Sequence, residues 1–222
     1  MSSTLAATRR SLHGVAEAVV AGPQYRATGT LRLRQRPGGF GTIVSHGAFS
    51  LVAVVGTDLV VSRSGGGSSR LPLTGTIGAL AAAAGLPFGG LEGVYGEGSG
   101  PTPDQVLEVD PDAAAELAAA FAAGSGALRS FAAPAGLFEQ PVLWPEHFDL
   151  AIALDGVQYG VSAGDDTIPA PYAYVSPMRP RKGPFWDRPL GAARPLWELP
   201  GESAIVSFFA EGRAHSRTPD RP

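Results

Sequence analysis

Imidazole, carboxylate, hydroxyl and aromatic side chains crowd together in one stretch, Leu143 to Ala192, which holds two of the three tryptophans, three of the five tyrosines and one of four histidines. Glu146, His147, Asp149, Asp165 and Asp166 supply one imidazole and several carboxylates, a donor set suited to a hard or borderline divalent ion; one histidine is few for zinc. Without a metal, the same residues allow acid–base chemistry, with His147 as general base oriented by Asp149. A Ser162–His147–Asp149 triad is the sharpest version of an enzyme, but strand spacing sets His147 and Asp149 about 6.5–7 Å apart along one face, and no nucleophile elbow surrounds Ser162.

Binding chemistry fits the same stretch. Ala151, Ala153 and Gly160 offer a floor of small residues, and His147, Asp149, Tyr172, Tyr174 and Trp186 offer a polar and aromatic rim, the usual composition of a small-molecule pocket. Trp186, flanked by Arg179, Arg181, Lys182 and Arg188, can stack on a ligand and neutralise its carboxylate or phosphate, or fold back so that its ring fills a secondary core. The candidate ligand-binding set is therefore Trp144, Glu146, His147, Asp149, Ser162, Asp165, Tyr172, Tyr174 and Trp186. A third reading is non-catalytic: His147 and Asp149 form a satisfied polar network that pins the hairpin, and the protein acts through association. Small-molecule binding is the leading expectation. Cofactor, metal and oligomeric state are left open by the sequence.

The elements that must position these groups begin with Asp155-Gly156, a two-residue loop that demands positive φ at both positions and signals a β-hairpin. The segments Phe148–Leu154 and Val157–Ser162 then pair as Leu154 with Val157, Ile152 with Tyr159, Leu150 with Val161 and Asp149 with Ser162. Period-two alternation puts Phe148, Leu150, Ile152, Leu154, Val157, Tyr159 and Val161 on an apolar face. His147, Asp149, Ala151, Ala153, Gln158, Gly160, Ser162 and Gly164 take the other.

Upstream, Leu5, Leu12, Val15 and Val19 predict an amphipathic helix over 3–21, stopped by Gly22-Pro23. Alternation over 25–36 predicts a strand with Arg26, Arg32, Arg34 and Arg36 on one side, an anion-binding surface or a solvated outer face. Pro37 to Gly41 reads as a turn, with strands at 42–45, 49–55 and 58–63; His46 falls in a loop, and SGGGSS (64–69) has the composition of a flexible one. Helices capped by Gly85 and Gly124 are predicted over 76–84 and 111–123, the second with Asp110 as N-cap. The long loop between them, 86–103, is functional or mobile by its length, and Tyr95 and Glu97 on it could close over a pocket. Beyond the hairpin the expectations are a strand at 172–175 restricted to an edge or a short pairing, an irregular loop to 190, a last strand or extension at 195–199 and a helix over 202–210 ended by Gly212, although AIVSFF is also good strand sequence. The last residues, 215–222, read as disordered.

Composition bounds the function. A net charge of −3 and a pI near 5.8 give no basic footprint for nucleic acid, and the absence of cysteine excludes disulfides and thiolate chemistry. No apolar run approaches the ~18 residues of a membrane span and no secretory signal opens the chain, so a cytoplasmic protein is expected. The Ala, Gly, Pro and Arg richness with a single lysine fits a GC-rich genome. The fold expected is α+β, mostly antiparallel sheet with about four helices, as one domain with lobes at 1–90 and 104–215 joined by the loop.

The blocks LWPEHFDLAI, YGVSAGDD, PYAYVSP and FWDRPLGA, following DPDAAAELAAAF, resemble an uncharacterised bacterial family with WPEHFD-like and YGVSPGD-like blocks. The likeness covers mainly 143–192, and Ala163 stands where that family has proline. No activity, substrate or cofactor comes with it.

Overall fold

The computed structural model describes residues 3–43, 49–96 and 98–217. It is α+β: antiparallel strands combined with four helical bodies, divided into two compact units. One unit is Met1–Ala119 with Leu143–Phe148; the other is Ala120–Val142 with Asp149–Pro222. The 86–103 loop lies within the first.

The first unit opens with helix α1 (Ser3–Val15), burying Leu5, Leu12 and Val15 as the spacing predicts. Gly22-Pro23 does not stop the run. The backbone widens into a π segment, Ala16–Ala21, and continues as α2 (Gly22–Thr28), with the Gly22 N–H reaching back five residues to the Glu17 carbonyl. Pro23 sits in the first turn of α2, where a missing N–H is tolerated. The Ala18 carbonyl is taken instead by the Gly89 N–H at 2.9 Å. The run ends at Gly29, whose φ of 74° is the left-handed conformation of a helix C-cap.

The strand expected over 25–36 is accordingly reduced to β1 (Leu33–Arg36). Gln24, fully buried, enforces this: its amide donates to the Thr30 and Arg32 carbonyls, and its oxygen accepts from the Ile43 N–H. Pro37-Gly38 turns the chain into β2 (Gly39–Thr42), earlier than the expected 42–45 strand; residues 44–48, with His46, lie outside the described residues. Then β3 (Phe49–Val55) and β4 (Asp58–Arg63) pair as read. The SGGGSS segment is no loose loop, since Ser68 and Ser69 begin β5 (Ser68–Pro72) and Gly66 and Gly67, both at positive φ, make the turn. With β6 (Val142–Trp144) beside β1, the order is β6-β1-β2-β3-β4-β5. Helix α3 (Ile77–Ala84) has the predicted Gly85 cap, and Thr76, expected inside the helix, is its N-cap, accepting from the Ala79 N–H.

Helix α4 (Pro111–Ala132) starts at Asp110, whose carboxylate accepts from the Asp112 and Ala113 N–H groups. It runs through Gly124 instead of ending there. In the second unit the reason is packing: a Cβ on Gly124 would stand 2.8 Å from Cβ and Cγ2 of Val161.

The second unit's sheet is ordered β10-β9-β8-β7: β7 (Asp149–Leu154), β8 (Val157–Ser162), β9 (Tyr172–Pro177) and β10 (Ala192–Pro195). The hairpin has the predicted register, and Asp155 and Gly156 take φ of 55° and 75°. Strand β9 is internal, not an edge, because its prolines fall at the ends, where the Pro171 carbonyl still accepts from the Leu196 N–H. The 195–199 extension is a 3₁₀ turn, Leu196–Glu198. Helix α5 (Gly201–Arg217) passes through Gly212 for the same reason as α4: Val175 Cγ2 lies 2.8 Å from any Cβ there. Phe131, Tyr159 and Phe209 form the core's ring cluster, with centroids 4.6–5.8 Å apart. Among the described residues, no helix is long and apolar enough to cross a membrane.

Replacing Gly124 by leucine inserts a side chain where no Cβ fits. Urea unfolding should show a loss of about 1–3 kcal/mol, despite leucine's better helix propensity.

Candidate functional site

Five of the nine residues singled out from the sequence come together in the second unit. Tyr172 and Tyr174 share a face of β9, with ring centroids 6.3 Å apart. The Tyr174 hydroxyl donates to Asp149 Oδ2, and the Tyr172 hydroxyl donates to Asp165 Oδ2 at 2.6 Å. Asp165 Oδ1 also accepts from the Thr167 and Ile168 N–H groups, and Ser162 Oγ from the Gly164 N–H. Tyr174 lies opposite Gly160 across the ladder, and its ring fills the space a Cβ on Gly160 would need. The small-residue floor is thus covered by a tyrosine from the neighbouring strand. Burial, then the carboxylates, holds both phenols well above the ordinary tyrosine range.

Trp186 stands apart from this cluster. It packs edge-on against Phe185, which in turn lies tilted against Phe208 and stacks on His215, so the 178–190 loop folds back as a secondary core. In the first unit, Trp144 lies beneath the Arg32 guanidinium, 5.6 Å from its centroid. His147, with a half-exposed side chain, is 3.5 Å from Glu146 Oε1. It belongs to a turn, not to the strand face, because Phe148 adopts a φ of 50° and β7 begins only at Asp149. Phe148 is held in that conformation by rings on two sides, His13 stacked at 5.3 Å and Phe40 edge-on at 5.3 Å.

A second set of groups, unpredicted by residue type, converges on Glu17 in the π segment. Only 4% of this residue is exposed. Its Oε1 accepts from the Tyr95 hydroxyl at 2.8 Å, and its Oε2 accepts from both the N–H and the hydroxyl of Ser99. His13, one turn earlier, brings Nε2 to 3.6 Å from Oε2 while donating to the Pro145 carbonyl at 2.7 Å. Above Glu17 opens a cleft of about 230 Å³. Ala18, Leu91 and Pro101 give it apolar wall, Glu92 and Tyr95 give polar groups, and four glycines of the 86–103 loop bring bare backbone to its rim. Among the described residues, no basic side chain lines it. Glu97 lies outside the described residues.

The width of the π turn is what aims Glu17 at the loop, and such bulges recur at functional sites. A signal was present in the sequence: Glu17 is the lone charge between Gly14 and Arg26, in an otherwise apolar helical stretch. Burial, then Glu17, pushes the Tyr95 phenol far up, so it stays a donor at any physiological pH. Burial is also the largest influence on His13 and lowers it, outweighing Glu17 and the Pro145 and Glu146 carbonyls, while His147 adds a like charge. Among the described residues no group of three or more His, Asp or Glu could hold a metal ion.

Two measurements follow from these networks. The unfolded His13 imidazole takes its proton near pH 6.5 and the folded one only below that, so its contribution to stability is complete above about 6.5 and is lost as the pH falls beneath it. In His13→Phe, which keeps a ring over Phe148, the urea midpoint should lose that dependence. Tyr174→Phe removes the hydroxyl donor of a buried carboxylate and should cost about 1–3 kcal/mol in the same assay.

Comparison with family models, with curated proteins and with solved structures gives no match, so function has to be read from the site alone.

Proposed function

We propose that the protein binds a small molecule, and that the cleft over Glu17 is where it does so. One observation carries this reading: a buried carboxylate, oriented by three donors, forms the floor of an open cleft whose rim is glycine backbone. A carboxylate so placed is costly to bury and still has acceptor capacity toward the cleft. With Glu92 as a second carboxylate, Tyr95 as a ring and no basic side chain among the described residues of the lining, the complementary ligand is a small cation bearing N–H donors, an ammonium or guanidinium compound. The hairpin face is less suited to a ligand, since Tyr174 already occupies the space over Gly160. Its tyrosine–carboxylate pairs favour a network role for Asp149, with Tyr174 in place of His147 as its partner. A cytoplasmic setting is part of the same proposal, in keeping with a cysteine-free chain.

Acid–base catalysis is the second reading, favoured by the imidazole–carboxylate pair of His13 and Glu17. His147 with Glu146 is a more exposed version of the same pairing, and a metal-assisted form has no group of three ligands to draw on among the described residues.

A melting scan against amines, guanidines, carboxylates and nucleotides separates these possibilities. A binder of the native state at a hundredfold above its dissociation constant adds about 2.7 kcal/mol. Stabilisation by amines or guanidines that disappears in Glu17→Gln and weakens in Tyr95→Phe is the expected result. Stabilisation by carboxylates or nucleotides alone, or by nothing in the panel, would sink the proposal.

A further inference from the structure

One face of the first unit's sheet holds an unusual pair of charges, independent of the cleft. Arg34 and Arg36 stand two residues apart on β1 and so share a face, opposite to Leu33, which is fully buried. The register gives the rows of that face: Arg34 beside Gly41, then Ala53, Val60 and Arg70; Arg36 beside Gly39, then Val55, Asp58 and Pro72. Each arginine therefore faces a glycine on β2, and no side chain from that strand stands between it and an incoming group.

Charge on this face is unbalanced. Asp58 is the sole carboxylate of β1 to β5, and Arg70 takes it at 2.6 Å. Arg36 makes one bond, from Nη2 to the Thr42 carbonyl at 2.6 Å, and Arg34 has no hydrogen bond or ion pair among the described residues. Both Nε atoms are closed to solvent and lack an acceptor. A buried donor without an acceptor is uncommon and points to a missing ion or water. Burial, and then the charge of Arg34, lowers Arg36 from its ordinary range, as expected of two cations held together without a counter-charge.

We propose that Arg34 and Arg36 form a binding site for a phosphate group, either free or as a phosphomonoester. Two guanidinium forks offer more donors than one carboxylate can accept, and a phosphate dianion matches both their charge and their geometry. The row behind them is small, Gly39, Gly41, Ala53 and Val55, with both glycines lying close against the β3 backbone. Arg32 is already engaged over Trp144, and Arg70 with Asp58, so neither is part of the site.

The test follows the arginine Nε–Hε resonances of the full chain while inorganic phosphate, phenyl phosphate or chloride is added. The expected result is a saturable shift of the Arg34 and Arg36 signals with one or both phosphates, and none with chloride. Saturation by phenyl phosphate alone would identify a phosphomonoester as the ligand; saturation by inorganic phosphate alone would identify the free ion. Arg34→Gln should weaken binding about tenfold or more, Arg34→Lys should keep the charge but lose part of the affinity, and Arg70→Gln should leave it unchanged. A shift that never saturates, that chloride reproduces, or that survives intact in folded Arg34→Gln and Arg36→Gln overturns the site.

Discussion

A carboxylate removed from water has to be given donors, and Glu17 receives them from a loop more than seventy residues away in sequence. Tyr95 and Ser99 close on it, Gly89 binds the Ala18 carbonyl beside it, and the 86–103 segment is thereby fixed against the first helix. The π segment, the tolerated Pro23 and the course of the glycine-rich loop all follow from this attachment. A five-residue helical step frees a carbonyl and turns the side chain outward; the loop supplies what both need. A loop of that composition would have little to order it otherwise, since it contributes few apolar side chains.

The second unit is ordered by a different device. Gly124, Gly160 and Gly212 sit where a neighbouring side chain comes too close for a Cβ: Val161, Tyr174 and Val175 respectively. Two of them lie inside helices, where glycine is intrinsically unfavourable by about 1 kcal/mol, and the close approach of helix to sheet compensates. The same intimacy explains why the small-residue face of the hairpin is filled. Once Tyr174 lies over Gly160, its hydroxyl reaches Asp149, and the polar groups that looked like a site become each other's partners.

These arrangements separate two kinds of polar cluster. Around Asp149 and Asp165, each carboxylate takes a phenol donor from strand β9, as an internal framework does. Around Glu17 the donors converge on the floor of a cleft, and around Arg34 and Arg36 the donors outnumber the acceptors. Unmatched or outward-facing valence is the feature that distinguishes a surface built to meet something else.

Short-range rules were legible in the chain. The Asp155-Gly156 turn dictated the β7–β8 register because only positive φ at both positions closes a two-residue hairpin, and Gly85 and Asp110 marked helix ends by local backbone chemistry. The length of the 86–103 loop drew notice to Tyr95. What local chemistry could not supply was the outcome of competition at a distance. Gly22-Pro23, Gly124 and Gly212 carry the signature of helix stops, yet the helices continue, because Gly89, Val161 and Val175 approach those backbones and only a glycine admits them. Residues 25–28 alternate like a strand, yet Gln24, tied to three backbone groups, holds them in a helix. The residue types at 143–192 announced chemistry, but the fold drew Tyr172 and Tyr174 onto Asp165 and Asp149 and left His147 and Glu146 in a turn. Glu17 gave only the sign of a lone charge in an apolar helix, and its role was decided by which loop folded over it.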